Sequence, residues 1–173
     1  MKGTLRFGSH LPVLIKLVEL TDGPILEMGA GYSSTPFLHW ACFHTKRTLE
    51  TYENREKYAD MFRSFNTDYH KIIHVTDWDA IDLDRPWSVA FIDHSPGRRR
   101  IKDIAKLVHA EYVVAHDSEN AKGTEYKYHK ILKLFKYRYK YNLIRPYTSI
   151  WSNKNDVRGI MKMAWPRVSS YDA

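Results

Sequence analysis

Hydrophobic positions along the chain switch repeatedly between helical and strand spacing. Residues 10–21 carry apolar side chains at three- and four-residue intervals after a capping serine, Ser9, which predicts an amphipathic helix. Short apolar runs bounded by turn residues instead predict buried strands. On the same criteria, further helices are predicted at residues 34–44, 54–65, 99–109 and 124–134, and strands at residues 25–28, 47–52, 71–75, 87–92, 112–115, 135–141 and 147–152.

The alternation of strands and helices predicts the fold class. Strands separated by helices form βαβ units, which build a mainly parallel sheet covered by helices on both faces. The last two strands are joined by a short turn around Pro146 and should form an antiparallel hairpin. We therefore expect an α/β fold, a three-layer sandwich whose seven-stranded, mostly parallel sheet ends in a C-terminal antiparallel hairpin. Ligands of such sheets bind at the carboxyl ends of the strands.

Length and composition bear on the number of domains, the cysteine chemistry, the cellular location and the charge of a partner. A chain of 173 residues predicts a single domain over residues 1–173, in which residues 154–173 form a tail without an interpretable pattern. The lone cysteine, Cys42, excludes an intramolecular disulfide and a cysteine-based zinc site. Because no apolar run could cross a membrane and residues 1–6 lack a signal-peptide core, we expect a cytoplasmic protein. The net charge of +7 leaves a polyanionic partner open.

The first strand runs directly into a glycine turn. Gly29 and Gly31 let the backbone turn tightly and approach a ligand, and the helix that begins near Ser33 offers free N–H groups. Dinucleotide-binding turns carry a third glycine where this chain has Ser34. The pattern therefore suits a ligand that has no pyrophosphate.

The second and third strands end in acidic residues. Glu53 has the spacing from the glycine turn of an acid that accepts hydrogen bonds from ribose hydroxyls, with Glu50 as the alternative register. A solvated glutamate at a helix N-terminus is the structural alternative for Glu53. Asp77 could meet an adenine amino group and Trp78 could stack on its ring, or the two could form an ordinary turn with an aromatic plug.

The fourth and fifth strands each end in an aspartate and a histidine. Asp93 and His94 follow the fourth strand, and His116 and Asp117 follow the fifth. The two loops should be neighbours, so these groups could bind a divalent cation or supply a general base. The structural alternatives are that Asp93 caps the next helix and that His116 is a hydrogen-bonded core histidine.

Taken in order, these motifs resemble those of class I S-adenosylmethionine-dependent methyltransferases, which share a Rossmann-like fold. The residues that carry the resemblance are 27–33, the acidic end of the second strand, and 91–93. The D-H-S element at 93–95 and the H-D pair at 116–117 are similar to the small-molecule O-methyltransferase branch, which includes sugar and macrolide O-methyltransferases. The resemblance extends over about residues 7–153 and implies S-adenosylmethionine as the cofactor.

The resemblance also implies roles for individual residues. The implied cofactor contacts are Glu27, Gly29 and Gly31 beneath the methionine part, Glu53 at the ribose, Asp77 and Trp78 at the adenine, Asp93 near the amino acid end or the methyl group, and Ser33 in the same loop. Asp93, His94 and His116 are the candidate catalytic residues, with either histidine as the base. Asp93 and Asp117 match the magnesium ligands of metal-using relatives, but His116 stands where those relatives have a carboxylate, which leaves Mg²⁺ open.

Several alternatives for the acceptor and the activity follow from the same sequence. We expect methyl transfer to a hydroxyl or amine of a small acceptor, which the positive charge suggests is anionic. An RNA ribose or cap methyltransferase would use the interleaved aromatic and basic residues at 126–141, although their alternation also fits a half-buried strand. A non-catalytic protein on the same scaffold is the third alternative. The basic run at 98–100 predicts a solvated face, an anionic partner or a salt bridge across the site, and a second subunit could close the acceptor site of a homodimer.

Overall fold

The structure of the protein, a computed structural model, describes residues 8–119 and 126–163. Its α-helices are α1 (Leu11–Glu19), α2 (Ser34–Thr45), α3 (Glu56–Met61) and α4 (Arg100–Lys106). Its strands are β1 (Ile25–Met28), β2 (Leu49–Glu53), β3 (His70–His74), β4 (Val89–Ile92), β5 (Tyr112–Ala115), β6 (Tyr137–Tyr141) and β7 (Thr148–Ser152). The expectations for residues 1–6 and for most of the C-terminal tail fall outside the described residues.

The seven strands form one mixed sheet, as predicted. Their order is β3-β2-β1-β4-β5-β7-β6, with parallel pairing from β3 through β5 and antiparallel pairing of β7 with both β5 and β6. Each strand lies within two residues of its predicted bounds. After β3, at one edge of the sheet, the chain returns to place β4 beside β1. The switch point between β1 and β4 opens a crevice at their carboxyl ends.

Two hydrophobic layers cover the two faces of the sheet. On one face, Leu14 and Leu17 of α1 and Leu38 of α2 pack against Ile25 and Phe91. On the other face, Ile104 of α4 packs with buried tryptophans against alternate residues of the same strands. Complete burial of one such aliphatic side chain contributes about 1.5–3 kcal/mol. The result is the expected three-layer α/β sandwich.

Two predicted helices differ from the structure. The helix expected at 54–65 begins only at Glu56, because the Arg55 amide donates to the Glu53 carboxylate at 2.7 Å and the backbone of Arg55 is extended. The helix expected at 124–134 was wrong in its described part, which forms two 3-10 helices, Tyr128–Lys130 and Leu132–Leu134. Lys127 begins this segment in a left-handed conformation, so an α-helix cannot continue through it.

The aromatic and basic residues of β6 occupy opposite faces of the strand. Arg138 and Lys140 are exposed, whereas Tyr137 and Tyr139 are half-buried and pack against a hydrophobic layer. The half-buried strand was therefore the correct structural interpretation of residues 137–141. Across the described part of the chain, every helix is too short or too polar to pass through a bilayer.

Candidate functional site

A sharp turn after β1 forms the floor of the candidate site. Gly29 has a φ of +97°, a conformation that side chains other than glycine rarely adopt. A Cβ atom on Gly29 would lie 2.7 Å from the His94 backbone nitrogen and 2.8 Å from the Asp93 carbonyl carbon. The β1 and β4 loops therefore touch here through backbone alone, and only glycine allows that approach.

Glu53 is held at the edge of this turn by backbone amides. Its Oε2 accepts a hydrogen bond from the Ala30 amide at 2.9 Å and its Oε1 accepts one from the Arg55 amide at 2.7 Å. The two bonds orient the carboxylate, and each oxygen keeps a second lone pair for a ligand. The side chain is only 5% exposed and borders a cavity, which excludes the alternative of a fully solvated glutamate.

The cavity occupies the switch point of the sheet and has a volume of about 320 Å³. Of the predicted site residues, Gly29, Gly31, Glu53, Asp93, His94 and His116 line it. Seven further lining residues were not among the predicted site residues, and they are His10, Ala30, Tyr32, Ser34, Arg55, Tyr58 and Ser95. Tyr32 lies inside the glycine motif and was detectable there. His10 comes from the start of α1, a distant segment without any motif, so only the tertiary structure brings it to the site.

A buried arginine joins the ends of β4 and β5. Arg100 contacts Asp93 at 2.9 Å and Asp117 at 3.2 Å, and it also donates to the backbone carbonyls of Asp93 and His94. The basic run at 98–100 therefore does supply a salt bridge across the site. The guanidinium lies between the two carboxylates that were expected to hold magnesium, so the structure does not support a Mg²⁺ site at Asp93 and Asp117.

The two candidate histidines form two different pairs with aspartates. In the cavity pair, His116 Nδ1 lies 3.2 Å from Asp93 Oδ2, and the Asp93 side chain is 27% exposed. In the enclosed pair, His94 Nε2 lies 2.9 Å from Asp103 Oδ2, and both side chains are 0% exposed. Because an acceptor cannot reach the His94 ring, the cavity pair is the candidate proton acceptor.

Electrostatic interactions shift the pKa values of both members of the cavity pair. Burial alone would raise the pKa of Asp93, but His116 and Arg100 outweigh it and hold that pKa below its usual range. Burial likewise opposes the charged form of His116, yet Asp93 and Asp117 raise the pKa of the ring above 6.5. Each member of the cavity pair therefore favours the charged form of the other.

Glu27 lies beneath the glycine turn rather than in the cavity. It is 0% exposed, and its Oε2 accepts hydrogen bonds from Thr35 at 2.9 Å and Thr51 at 2.7 Å. Thr35 in turn accepts the Gly31 amide at 2.9 Å, so Glu27 acts on the turn indirectly. Burial raises the pKa of the Glu27 carboxyl to about 7, despite these hydrogen bonds.

The remaining predicted residues lie outside the lining of the cavity. Trp78 is buried, with one face stacked on His94 at 4.4 Å and its Nε1 bonded to the Ser95 carbonyl. Asp77 caps a short 3-10 helix by accepting the Asp79 amide. Ser33 is the N-cap residue of α2, without a side-chain cap bond. These contacts are those of the aromatic-plug alternative, and an adenine contact at Asp77 and Trp78 stays a prediction.

Ser9 does not cap α1, contrary to expectation. His10 is the N-cap residue, and it makes no capping bond with its side chain. The Ser9 hydroxyl instead donates to the Pro146 carbonyl at 2.7 Å and lies 2.9 Å from His116 Nε2. The segment before α1 is thereby tied to the end of β5 and to the turn before β7.

Comparisons with known proteins give a fold but no sequence family. Neither a protein-family model nor a curated protein sequence matches the chain. The solved structure of cofactor-bound Rv0187 from MTB matches with a TM-score of 0.63 at 15% identity, over 86% of this chain and 80% of that one. An O-methyltransferase from Bacillus cereus in complex with SAH matches with a TM-score of 0.60 at 14% identity, over 88% of this chain and 82% of that one.

A third structure supports the same assignment. An rRNA methylase from Streptococcus thermophilus matches with a TM-score of 0.53 at 12% identity, over 82% of this chain and 93% of that one. The chain has the fold of a class I methyltransferase. The Rossmann-like fold expected from the motifs is confirmed, and these neighbours include both an O-methyltransferase and an RNA-modifying enzyme.

Proposed function

We propose that this protein transfers a methyl group from S-adenosylmethionine to a hydroxyl or amine of a small, anionic acceptor. The observation that carries the proposal is the cavity at the switch point of a methyltransferase fold. Glu53, the glycine turn and Asp93 all border it. In open α/β sheets this crevice is the place where ligands bind.

The lining residues include groups that suit the ribose and the methyl end of the cofactor. S-Adenosylmethionine supplies a methyl group on a positively charged sulfur. The free lone pairs of Glu53 suit the two ribose hydroxyls, since both carboxylate oxygens are already oriented by backbone amides. The absence of a side chain at Gly29 lets the β1 and β4 loops touch, which brings Asp93 beside the glycine turn. Asp93 adds negative charge near the position proposed for the methyl group.

The remaining task of the protein is alignment and proton removal. The transfer forms a bond between the acceptor atom and the methyl carbon as the carbon–sulfur bond breaks, and the acceptor loses its proton. Holding the reacting atoms in line lowers the barrier of such a step by removing the entropy cost of bringing them together. The cavity pair is the proposed proton acceptor, with Asp93 as its exposed member and His116 Nδ1 3.2 Å behind it.

The rim of the cavity favours a small anionic acceptor. Arg55 is exposed at the rim, where its guanidinium lies 3.3 Å from the Ser95 hydroxyl and has further donors free to bind an acidic group. Along β6, Tyr137 and Tyr139 are half-buried and pack against a hydrophobic layer, which favours a structural role for both rings. RNA as the acceptor is therefore the alternative outcome of the test.

Calorimetry with S-adenosylmethionine and S-adenosylhomocysteine tests the cofactor. We expect one site per chain, and Glu53→Gln should weaken binding at least about tenfold because it removes a charged hydrogen-bond acceptor. Glu56→Gln is the matched control, since Glu56 is exposed three residues away and should leave the affinity unchanged. Failure of the wild-type protein to bind either compound would overturn the proposal.

An acceptor screen completes the test. Formation of S-adenosylhomocysteine should be followed with anionic and neutral pairs of small hydroxyl and amine compounds, and with short RNAs. Turnover of the anionic member of a pair above the neutral one supports the proposal. Turnover of RNA alone would replace the small acceptor with the nucleic-acid alternative.

A further inference from the structure

Three potential metal ligands converge at the inner end of the cavity. They are His10 at the start of α1, Asp93 after β4 and His116 after β5, and each offers one ligand atom within 4.8 Å of the other two. Among the described residues they are the one group of three or more histidine, cysteine or acidic side chains with this geometry. All three also line the cavity, which leaves a route by which an ion could enter.

His10 is a buried histidine without a hydrogen-bond partner. Its side chain belongs to a residue only 3% exposed, and neither ring nitrogen makes a hydrogen bond. Buried polar groups are nearly always paired, so such a ring calls for an explanation. The His10 ring lies edge-on to the His116 ring, with the ring centroids 4.8 Å apart, so it stands beside the cavity pair.

The hydrogen bonds of Ser9 determine which ring nitrogen of His116 carries a proton. The single Ser9 hydroxyl proton goes to the Pro146 carbonyl at 2.7 Å, so the Ser9 oxygen must accept from His116 Nε2 at 2.9 Å. His116 Nδ1 is left facing Asp93 Oδ2 at 3.2 Å. In a neutral ring this would place a lone pair against a carboxylate, which is repulsive. A positive charge must therefore lie between them, and either a proton or a metal ion can supply it.

We infer that His10, Asp93 and His116 form a binding site for a divalent first-row transition metal. Two imidazoles and one carboxylate are ligands typical of zinc, iron or manganese, whereas magnesium prefers an all-oxygen set. The Ser9 oxygen accepts the second ring N–H of His116, as hydrogen-bond acceptors around metal sites do for metal-bound histidines. The Asp93, Asp117 and Arg100 side chains together leave a net negative charge around the ion.

The site has a consequence for the reaction, and this part alone rests on the proposed function. Three protein ligands leave one or more coordination positions open, and the cavity gives an acceptor access to them. A hydroxyl bound to such an ion loses its proton more easily, which assists attack on the methyl group. Metal binding itself does not depend on methyl transfer and can be measured separately.

Titration with Zn²⁺ by calorimetry and with Co²⁺ by visible absorption tests the site in the full-length protein. We expect one equivalent per chain, with His10→Gln and Asp93→Asn each weakening binding at least about tenfold and Ser9→Ala weakening it about tenfold. His74→Gln is the matched control, because His74 is exposed on β3 and should leave binding unchanged.

Two results would overturn the inference. One is absence of stoichiometric binding of both metals to the wild-type protein. The other is equal affinity of the wild type and His10→Gln, with circular dichroism showing both folded, since the ion would then bind elsewhere on the surface. Ser9→Ala provides a second test if His10→Gln does not fold. Metal binding without S-adenosylmethionine binding would support the metal site and overturn the proposed function. S-Adenosylmethionine binding without metal binding would support the proposed function and overturn the metal site.

Discussion

Two aspartate–histidine pairs each contain one of the adjacent residues Asp93 and His94, yet the two pairs lie in opposite environments. The enclosed pair, His94 with Asp103, is completely buried and stacks on Trp78. The cavity pair, His116 with Asp93, reaches the opening at the switch point. Both contain the residue types of a general base, and both lie close to the glycine turn. Solvent access, rather than residue type or position after a strand, separates a stabilising pair from a candidate reactive one.

The largest expected effect is on Arg100, which joins the ends of both strands. Arg100→Met should destabilise the protein by about 3–5 kcal/mol, because it leaves Asp93 and Asp117 without their shared partner. Urea denaturation gives the free energy of unfolding. Arg98→Met is the control, since Arg98 is exposed in the same basic run and should change stability by less than about 0.5 kcal/mol. Similar losses in both variants would contradict the assigned role of Arg100.

Substituting Asp103 of the enclosed pair and Asp93 of the cavity pair should affect stability and ligand binding separately. Asp103→Asn should cost about 2–3 kcal/mol, because it weakens a buried charged network with His94 and Arg99, and should leave cofactor affinity nearly unchanged. Asp93→Asn should weaken cofactor and metal binding at least about tenfold. Denaturation and calorimetry on both variants measure the two effects. Loss of cofactor binding in folded Asp103→Asn would show that the enclosed pair also serves the ligand.

The smallest expected effect is a change in the titration of His116. Nuclear magnetic resonance should show a pKa above 6.5 in the wild type and a lower pKa in Asp93→Asn, where burial and Arg100 act with less opposition. The stabilisation from the raised pKa of His116 is complete below pH 6.5 and is lost as the pH rises through the folded value. The stabilisation from the lowered pKa of Asp93 is lost as the pH falls. An unchanged His116 pKa in Asp93→Asn would contradict the pairing.

Much of the fold could be predicted because its signals are local. Strand runs, amphipathic spacing and a glycine turn are properties of neighbouring residues, and their order along the chain restricts the topology. The helix expected at 124–134 failed for the same reason. Local pattern there favours a helix, whereas the structure buries Tyr128, Ile131 and Phe135 against the sheet through short 3-10 turns. Packing against distant strands outweighed local preference.

The candidate ligand groups at strand ends, including Gly29, Glu53 and Asp93, could be recognised from the amino-acid sequence, since strand ends in a parallel sheet must meet at one edge. The contacts of those groups depend on tertiary packing. It brought His10 and Ser9 from the start of α1 to His116, across more than a hundred residues, and it inserted Arg100 between two carboxylates. Burial and long-range contacts decide whether a side chain can react, bind a ligand or hold another residue in place. Neither property can be read from the spacing of neighbouring residues.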